Sequence, residues 1–518
     1  MANKTLFSTI ASLVARPADT INEAGGKAYA LSPQQALAQY ALTGCLNGTF
    51  YAEAEVQLAR VIDLCSQVDD TFIARLAVYA RHEGGMKDMP ALLCAILSTR
   101  DTRLFNWVAR SVLNSSRLIR TFVQIMRSGA VGRKSLGTRP KKVIIDWLNR
   151  LDDDTLFRQS IGADPSLGDI IKMVHPTPAT PAREALYAYF TDRPHKAEVL
   201  PTLVRDFEAF KLSPQTVSLP DVPFQMLTSF PLGAKQWADI ARRASWQTLR
   251  MNLNTLARNG VFSLPGMSAT IASRLRDANA IRAARVFPYQ MLSAARHVDT
   301  AVPQEVQRVL EDAMEISVDN VPAIAGDVVI CVDVSGSMES SITGYRKGAT
   351  SKIRCVDVAA LIAAAVLRKN PQAHVIPFAD DVVSVSLRTG ATVLENTNRL
   401  AAALGGGTNC SAPLTRLNAQ RAKADLIIYV SDNQSWVDAR STHCTATMQE
   451  WTKFKSRNRR ARMVCINLQP YGTAQATGSA DILNIGGFSD HVFQMIADFA
   501  QGQDGGDSLI KRIEAIEL

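Results

Sequence analysis

The sequence predicts an all-α helical repeat array followed by an α/β domain with a mostly parallel sheet. From about residue 33 to 320, apolar residues recur at the three- and four-residue spacing of amphipathic helices. After Pro322, short β-branched runs alternate with helical segments, a pattern typical of a parallel sheet covered by helices on both faces. The predicted domains are therefore residues 1–320 and 321–518.

Glycine and proline divide the first domain into helices of ordinary length joined by short turns. Such helices favour stacked antiparallel pairs, as in HEAT-like solenoids, although the sequence shows no fixed period. In the second domain we expect strands at 327–332, 373–378, 382–387, 425–431 and 462–467, and helices at 354–369, 393–403, 445–456, 491–501 and 507–516. Only Ala379, Asp380 and Asp381 separate the second and third of these strands, so the sequence predicts an antiparallel hairpin at one edge.

The composition is that of a soluble globular protein, with 47% hydrophobic and 20% charged residues among 518. The eight cysteines form no C-x-x-C pair and several lie in apolar runs, which favours buried free thiols in a reducing compartment. No apolar stretch approaches the roughly 18 residues of a membrane span, and residues 6–15 are interpreted as a short amphipathic helix. We therefore expect a cytoplasmic protein with no membrane partner.

Oxygen-bearing side chains follow two of the predicted strands. Asp333, Ser335 and Ser337 leave the strand at 327–332 on a tight turn that contains glycine, and Asp432 ends the strand at 425–431. A glycine turn at 405–407 delivers Thr408. Hard oxygen ligands at the carboxyl edge of a parallel sheet suit Mg²⁺ or Ca²⁺. A solvated loop is the alternative for the first segment alone, because Asp and Ser are common turn residues.

Together, these three segments resemble the metal-ion-dependent adhesion site of von Willebrand factor A domains, which have a Rossmann-like fold. The resemblance implies that Ser335, Ser337 and Thr408 are hydroxyl ligands, and that Asp333 and Asp432 bind the cation directly or through water. Oxygen ligation with several waters fits Mg²⁺ and leaves one position for a partner's carboxylate or a phosphate oxygen. A structural cation and a partner-capturing cation both remain open. No positioned base accompanies the site, so we predict no catalytic residue.

The net charge is +9, and its distribution is uneven. Ten basic residues and no acidic residue lie between Arg103 and Lys142, on predicted helices near 103–114 and 116–128 and on a glycine-rich loop at 129–140. Trp107 and four other apolar residues between them are expected to face the core. Because a face kept only for solubility mixes both signs, the run favours nucleic acid or another polyanion over a merely solvated surface. A second basic group, from Lys453 to Arg462, is interpreted first as a solvated turn and second as an RNA contact.

Five stretches of the first domain resemble the TROVE module of the Ro autoantigen family and its bacterial Ro-related members. They are 22–26, 44–51, 136–147, 169–176 and 248–260. The GGGTNC and SDNQSW stretches of the second domain resemble the same family's A domain. The resemblance extends from about residue 20 to 515.

This resemblance implies a ring of helices whose basic channel takes the single-stranded 3′ ends of misfolded or unprocessed RNA. It also implies an outer basic surface for small noncoding Y RNA, and a tethered 3′→5′ exoribonuclease such as polynucleotide phosphorylase. The RNA-binding candidates are Arg117, Arg120, Arg127, Arg133, Lys134, Arg139, Lys141, Lys142 and His175. The expected function is non-enzymatic RNA binding in RNA quality control, processing or decay. The alternative is a metal-dependent protein-interaction scaffold without an RNA role, and a hydrolase would need a base that the sequence does not supply.

Overall fold

The computed structural model describes residues 16–44, 46–162, 164–284, 288–345, 353–436, 444–502 and 505–518. The helix predicted at 6–15 lies outside these residues. Seven cysteines of the described chain are buried free thiols, as the sequence predicts. Within the same residues, no helix has the length and apolarity needed to span a bilayer.

Helices fill the chain from residue 33 to residue 317, and most of them pack on near neighbours in sequence. They are α1 (Pro33–Thr43), α2 (Ala54–Gln67), α3 (Asp70–His82), α4 (Asp88–Arg100), α5 (Thr102–Val112), α6 (Ser116–Ser128), α7 (Thr138–Arg150), α8 (Asp153–Arg158), α9 (Leu167–Val174), α10 (Pro181–Phe190), α11 (Thr202–Leu212), α12 (Ala234–Arg243), α13 (Trp246–Met251), α14 (Leu253–Arg258), α15 (Met267–Leu275), α16 (Ala278–Ala283), α17 (Pro288–His297) and α18 (Gln304–Ser317). This array confirms the predicted helical repeat architecture. We refer to it as the helical module.

Local sequence signals set the helix ends in the basic region. The Asp101 carboxylate caps α5 by accepting hydrogen bonds from the backbone N–H groups of Arg103 and Leu104. Ser115 caps α6, which ends at Gly129 in the left-handed conformation, with φ of 83°. Helix α6 buries its apolar side chains on one face, so its arginines lie on the other side of the helix.

The second domain is built on a five-stranded parallel sheet. Its strands are β3 (Val328–Asp333), β4 (His374–Phe378), β5 (Leu426–Ser431), β6 (Arg462–Asn467) and β8 (Ile482–Gly486), in the order β4-β3-β5-β6-β8. Its helices are α19 (Cys355–Lys369), α20 (Val393–Ala401), α21 (Ala412–Ala419), α22 (Ala446–Arg457), α23 (Asp490–Ala500) and α24 (Ser508–Glu514). Strands β3 and β5 are buried along their whole length, as expected for the centre of a sheet covered on both faces.

The predicted edge hairpin is wrong. Val382 forms an isolated bridge with Phe378, and the Val383 N–H donates to the Pro377 carbonyl at 2.8 Å, but 382–387 forms no strand. The apolar side chains in this stretch pack against the core without a ladder, and this explains why the alternation looked like a strand. The fifth strand is instead β8, and α21 is a further element that the sequence analysis missed.

The helical module begins and ends on the α/β domain. At its start, α1 packs on β8 and α3 packs on α24. At its end, α17 packs on α19 and α18 on α20. The long connection between α11 and α12 is held by the Gln236 amide, which donates to the Pro214 carbonyl at 2.6 Å. The helices and the α/β domain therefore form a closed circuit, as the family resemblance implies.

A small second sheet joins the beginning of the chain to the α/β domain. It consists of β1 (Thr20–Ile21), β2 (Lys27–Ala30) and β7 (Thr473–Ala474) in the order β1-β2-β7. Strands β2 and β7 are antiparallel, with Tyr29 opposite Ala474 and Ala30 opposite Thr473. Two stretches far apart in sequence thus share one set of backbone hydrogen bonds.

A buried ion-pair cluster holds the other end of the circuit. Asp357, at the start of α19, is fully buried and contacts Arg296 of α17 at 2.6 Å and Arg354 at 2.9 Å. Burial opposes the ionisation of Asp357, but the hydrogen bonds from Arg354 and the positive charges of both arginines outweigh it and lower its pKa. Asp357 is therefore ionised in the folded protein near neutral pH.

We expect Asp357→Ala to destabilise the protein by about 3–5 kcal/mol, because it leaves two guanidinium groups without their buried partner. Since the folded-state pKa is lowered, the contribution is present above the unfolded pKa of about 3.9 and is lost as pH falls through the folded value. Chemical unfolding of both proteins at pH 7 and across the acid range measures the difference. As a control, Glu395→Gln removes an exposed ion pair with Arg399 and should cost no more than about 1 kcal/mol. Equal effects of the two changes would contradict this role of Asp357.

Candidate cation site and basic surfaces

The oxygen-bearing residues predicted to bind a metal lie together at the carboxyl edge of the parallel sheet. Strands β3 and β5 are adjacent, with Val332 opposite Val430, so Asp333 and Asp432 emerge side by side. Asp333 accepts hydrogen bonds from the Ser335 backbone N–H at 2.9 Å and from the Ser431 hydroxyl at 2.5 Å. The Ser335 and Ser337 hydroxyl oxygens are 3.4 Å apart.

The glycine turn brings Thr408 to the same edge. The Gly336 N–H donates to the Gly406 carbonyl at 3.0 Å, and the Gly405 N–H donates to the Val334 carbonyl at 2.8 Å. Gly406 has φ of 82°, and a Cβ there would stand 2.6 Å from a carboxylate oxygen of Asp380, so this position requires glycine. Thr408 itself is buried.

Both carboxylates of the site are buried. Burial raises the pKa of Asp333, and burial together with the charge of Asp333 raises the pKa of Asp432 to about 7. Within the described chain, neither carboxylate is paired with a lysine or an arginine. Two buried carboxylates next to three hydroxyl groups fit a small, hard divalent cation, which would supply the missing positive charge.

The predicted basic surface lies on α6 and α7, and we call it the outer basic face. On α6, Arg117 and Arg127 are exposed and Arg120 is half-buried. Burial and the charge of Arg117 lower the pKa of Arg120. On α7, Arg139 and Lys142 are exposed and Lys141 is half-buried. None of these six side chains forms a salt bridge with a described carboxylate.

Two details of this region differ from the sequence analysis. The glycine-rich loop ends at Gly137 rather than at residue 140, because proline is tolerated in the first turn of α7. Arg139 therefore lies on a helix. Trp107 does not face the core: it is 40% exposed, while Phe105 and Val108 of the same helix are fully buried.

Three of the RNA-binding candidates have structural contacts of their own. Arg133 donates from its guanidinium to the carbonyls of Ser135 and Leu136, and so closes its own loop. The stem of Lys134 packs over Gly129. His175 is exposed and ends α9 in the left-handed conformation, with φ of 53°. These residues lie near the outer basic face, but Arg133 in particular has fewer donors left for a ligand.

The structure also reveals a positive cavity that the sequence analysis did not identify, and we call it the basic cavity. It has a volume of about 850 Å³ and lies between Lys87, at the start of α4, and residues of α13, α14 and α17, including Arg250, Arg258 and His297. None of the described side chains that line it is acidic. The pKa of Lys87 is lowered by partial burial and by the charges of Arg117 and Arg81, so the cavity adjoins the outer basic face.

Arg250 is the most constrained cation of the basic cavity. Only 7% of it is exposed, and burial lowers its pKa to about 10. Its guanidinium donates to the Gln290 carbonyl at 2.6 Å and to the Gln247 side chain at 3.0 Å, whereas its Nε has no hydrogen-bond partner among the described residues. A buried guanidinium without a carboxylate is costly, so an anionic ligand would stabilise this cavity.

Fold and site together define a helical repeat protein closed by a von Willebrand factor A type domain, with an oxygen-lined sheet edge and a basic cavity. Residues 327–500 match the family described as Ro60 vWA domain. Over 93% of its length the chain is 23% identical to the RNA-binding protein RO60 of Deinococcus radiodurans and covers 95% of that protein. It is also 23% identical to the RNA-binding protein RO60 of Caenorhabditis elegans, over 45% of this chain and 36% of that one.

The crystal structure of the Deinococcus radiodurans RO (RSR) protein has the same fold. It aligns with a TM-score of 0.60 at 20% identity, over 91% of this chain and all of that one. The chain is thus similar to Ro proteins over most of its length, and residues 327–500 match the A domain of that family.

Proposed function

We propose that this protein binds RNA without acting as an enzyme, and that it takes a single-stranded RNA end into the basic cavity. The observation that carries the proposal is Arg250, a buried guanidinium that faces a cavity with no acidic residue among its described lining. Phosphate oxygens are the anions that such a cation favours in a nucleic-acid site. The two relatives named as RNA-binding proteins support the same ligand class.

The chemistry of the cavity suits a single strand. Arg258 and Lys87 are exposed and both line the cavity, so both can contact phosphates along a backbone. Tyr289 and His297 also line the cavity, and aromatic rings stack on bases of any sequence. We therefore expect recognition of an accessible end rather than of a base sequence.

The outer basic face is proposed to bind a small structured noncoding RNA of the Y type. Its exposed cations lie on two helices that are consecutive in sequence and both pack on α9, so they can contact several phosphates of one folded RNA. This RNA would share a boundary with the cavity at Arg117, since Arg117 acts electrostatically on Lys87. Regulated access to the cavity, and delivery of ends to a 3′→5′ exoribonuclease, would place the protein in RNA quality control in the cytoplasm.

We propose Mg²⁺ as the ligand of the sheet edge, held by Ser335, Ser337, Thr408, Asp333 and Asp432. The support is the buried pair of carboxylates, for which the described residues supply no basic partner. When bound, the cation would neutralise these carboxylates and hold the three loops in one arrangement. The same observation favours a second candidate function, a metal-dependent protein-interaction scaffold without an RNA role.

Crosslinking in the native cells separates the two functions. The protein is crosslinked by ultraviolet light, purified, and its attached RNA sequenced. We expect one abundant small structured RNA together with diverse RNAs attached near their 3′ ends, and we expect high salt to release them from uncrosslinked protein. Recovery of background RNA alone would reject the RNA function and leave the scaffold.

A further inference from the structure

Helix α5 presents an exposed tryptophan between two exposed arginines. Arg103, Trp107 and Arg110 follow one another at spacings of four and three residues, so their side chains share one face of the helix. Both arginines are exposed, and so is 40% of Trp107, whereas Phe105 and Val108 on the other side are fully buried. We call Arg103, Trp107 and Arg110 the α5 stripe.

The two arginines of the α5 stripe have no acidic partner among the described residues. Arg103 and Arg110 form no salt bridge with a described carboxylate. The carboxylate closest to them in sequence, that of Asp101, instead accepts hydrogen bonds from two backbone N–H groups in the first turn of α5. Both guanidinium groups can therefore bind an external anion.

The α5 stripe begins beside the rim of the basic cavity. Near the end of α5, the Ser111 hydroxyl lies 2.8 Å from a ring nitrogen of His82, the last residue of α3. The turn that follows His82 leads within five residues to Lys87, which lines the cavity. Ser111 is also about one helical turn from Trp107. A strand that leaves the cavity past Lys87 can therefore continue onto the α5 stripe.

An indole between two guanidinium groups fits an unpaired nucleotide. The flat ring can stack on a base of any sequence. Arg103 and Arg110 are about 10 Å apart along the helix axis, at 1.5 Å per residue, so they can contact the phosphates on either side of that base. A single exposed apolar side chain needs no explanation, but here both flanking positions are cationic. An acidic peptide would use the arginines and leave the planar ring unused, so the stripe favours RNA.

We propose that Trp107 stacks on an unpaired base of the RNA strand whose end lies in the basic cavity, and that Arg103 and Arg110 bind the phosphates that flank this base. This role rests on the proposed function, because it takes the strand in the cavity as given. It extends the path of the strand from the cavity along α5. The α5 stripe selects unpaired nucleotides, since a base inside a duplex has no free face to offer the indole.

Unstructured RNA strands of two lengths test this role with the full chain. A strand of about 5 nucleotides should fill the basic cavity alone, whereas one of about 15 nucleotides should also reach the α5 stripe. We expect Trp107→Ala to lower the affinity for the longer strand by about 5- to 100-fold, the effect of one lost base stack, and to leave the affinity for the shorter strand unchanged. Trp107→Phe keeps an aromatic ring and should stay within about threefold of the unaltered protein. Trp107→Leu should behave like Trp107→Ala.

The salt dependence of binding separates stacking from charge. Trp107→Ala should leave the slope of log affinity against log salt unchanged, because the indole contacts no phosphate. R103Q/R110Q should reduce this slope by about 1.4 for the longer strand, at about 0.7 for each lost phosphate contact. Trp436→Ala is the matched control, since Trp436 is 49% exposed on the α/β domain. It should bind both strands like the unaltered protein.

The two strands also distinguish failure of the α5 stripe from failure of the cavity. If Trp107→Ala binds the longer strand like the unaltered protein, the stacking role is overturned, while binding of the shorter strand upholds the cavity. Equal losses for both strands would mean that Trp107 supports the cavity or the fold, and would also overturn the stacking role. If neither strand binds the unaltered protein, the proposed function and the stacking role fail together. Binding of a polyglutamate peptide that R103Q/R110Q abolishes, with no effect of Trp107→Ala on RNA, would assign the stripe to an acidic protein instead.

Discussion

Reversing three charges at the basic cavity, in the variant K87E/R117E/R258E, should lower the affinity for single-stranded RNA by at least about 100-fold at 0.15 M salt. Lys87 and Arg258 line the cavity, and Arg117 lies beside Lys87. Each lost phosphate contact should also reduce the slope of log affinity against log salt by about 0.7. Titration of a labelled unstructured RNA at several salt concentrations measures both quantities.

The control must change the net charge equally, because a less positive protein attracts all RNA more weakly. K423E/R459E/R460E meets this condition. These three residues lie at the edge of the sheet opposite the candidate cation site, before β5 and β6, and are exposed. We expect the affinity of this variant for single-stranded RNA to fall by less than about threefold, with little change in the slope of log affinity against log salt. Equal losses in the two variants would mean that the cavity is not the site.

A third variant, R139E/K141E/K142E, compares the outer basic face with the cavity at the same change of charge. On the proposed division of roles, this variant loses affinity for structured RNA more than for an unstructured strand. The family resemblance alone implies that Arg139, Lys141 and Lys142 bind single-stranded RNA ends. A larger loss for the unstructured strand would therefore move the 3′-end site from the cavity to α7.

The second large effect concerns the cation. We expect Asp333→Ala to abolish Mg²⁺ binding, because Asp333 is one of only two carboxylates in the predicted ligand set. For the unaltered protein, Mg²⁺ at 100 times its Kd should increase the free energy of unfolding by about 2.7 kcal/mol. In the variant this increment should vanish. Calorimetry and chemical unfolding, each with and without Mg²⁺, provide the two measurements.

Asp327→Ala is the matched control, since Asp327 is exposed and precedes the same strand at its other end. It should bind Mg²⁺ like the unaltered protein. RNA affinity should remain unchanged in both variants, because the basic cavity and the outer basic face contain none of the candidate cation ligands. Retention of Mg²⁺ binding by Asp333→Ala would rule out the sheet edge as the site.

The local pattern of apolar residues was sufficient to predict most of the architecture. The strands at β3, β5 and β6 were predicted because each is a compact apolar run in a buried sheet, and the helices near α5 and α6 because their apolar spacing is regular. The stretch 382–387 was wrongly predicted as a strand. Alternation of apolar and polar residues indicates that one face is buried, but it does not show that the backbone has a hydrogen-bonded partner strand. Strand β8 is short and contains Gly486, so its apolar pattern is weak.

The two kinds of site differ in how far sequence reasoning could reach. Asp333, Ser335 and Ser337 lie within one turn, and Asp432 follows a recognisable neighbouring strand, so their assembly could be expected from sheet geometry. The basic cavity combines Lys87 with Arg250 and Arg258, which only the closed circuit of helices brings together. Neither the sequence around Lys87 nor the sequence from Arg250 to Arg258 is unusually basic by itself. The burial of Arg250 also cannot be deduced from its charge.

The small sheet of β1, β2 and β7 has a consequence for biosynthesis. The chain emerges from the ribosome with β2 first, and at about 5–20 residues per second its partner β7 follows only after tens of seconds. Throughout that interval the nascent helical module exposes an unpaired strand edge and the faces of α1 and α3 that later contact the α/β domain. The circuit therefore closes late, after β7 and α24 have been translated, and those surfaces are the ones that a chaperone would have to shield.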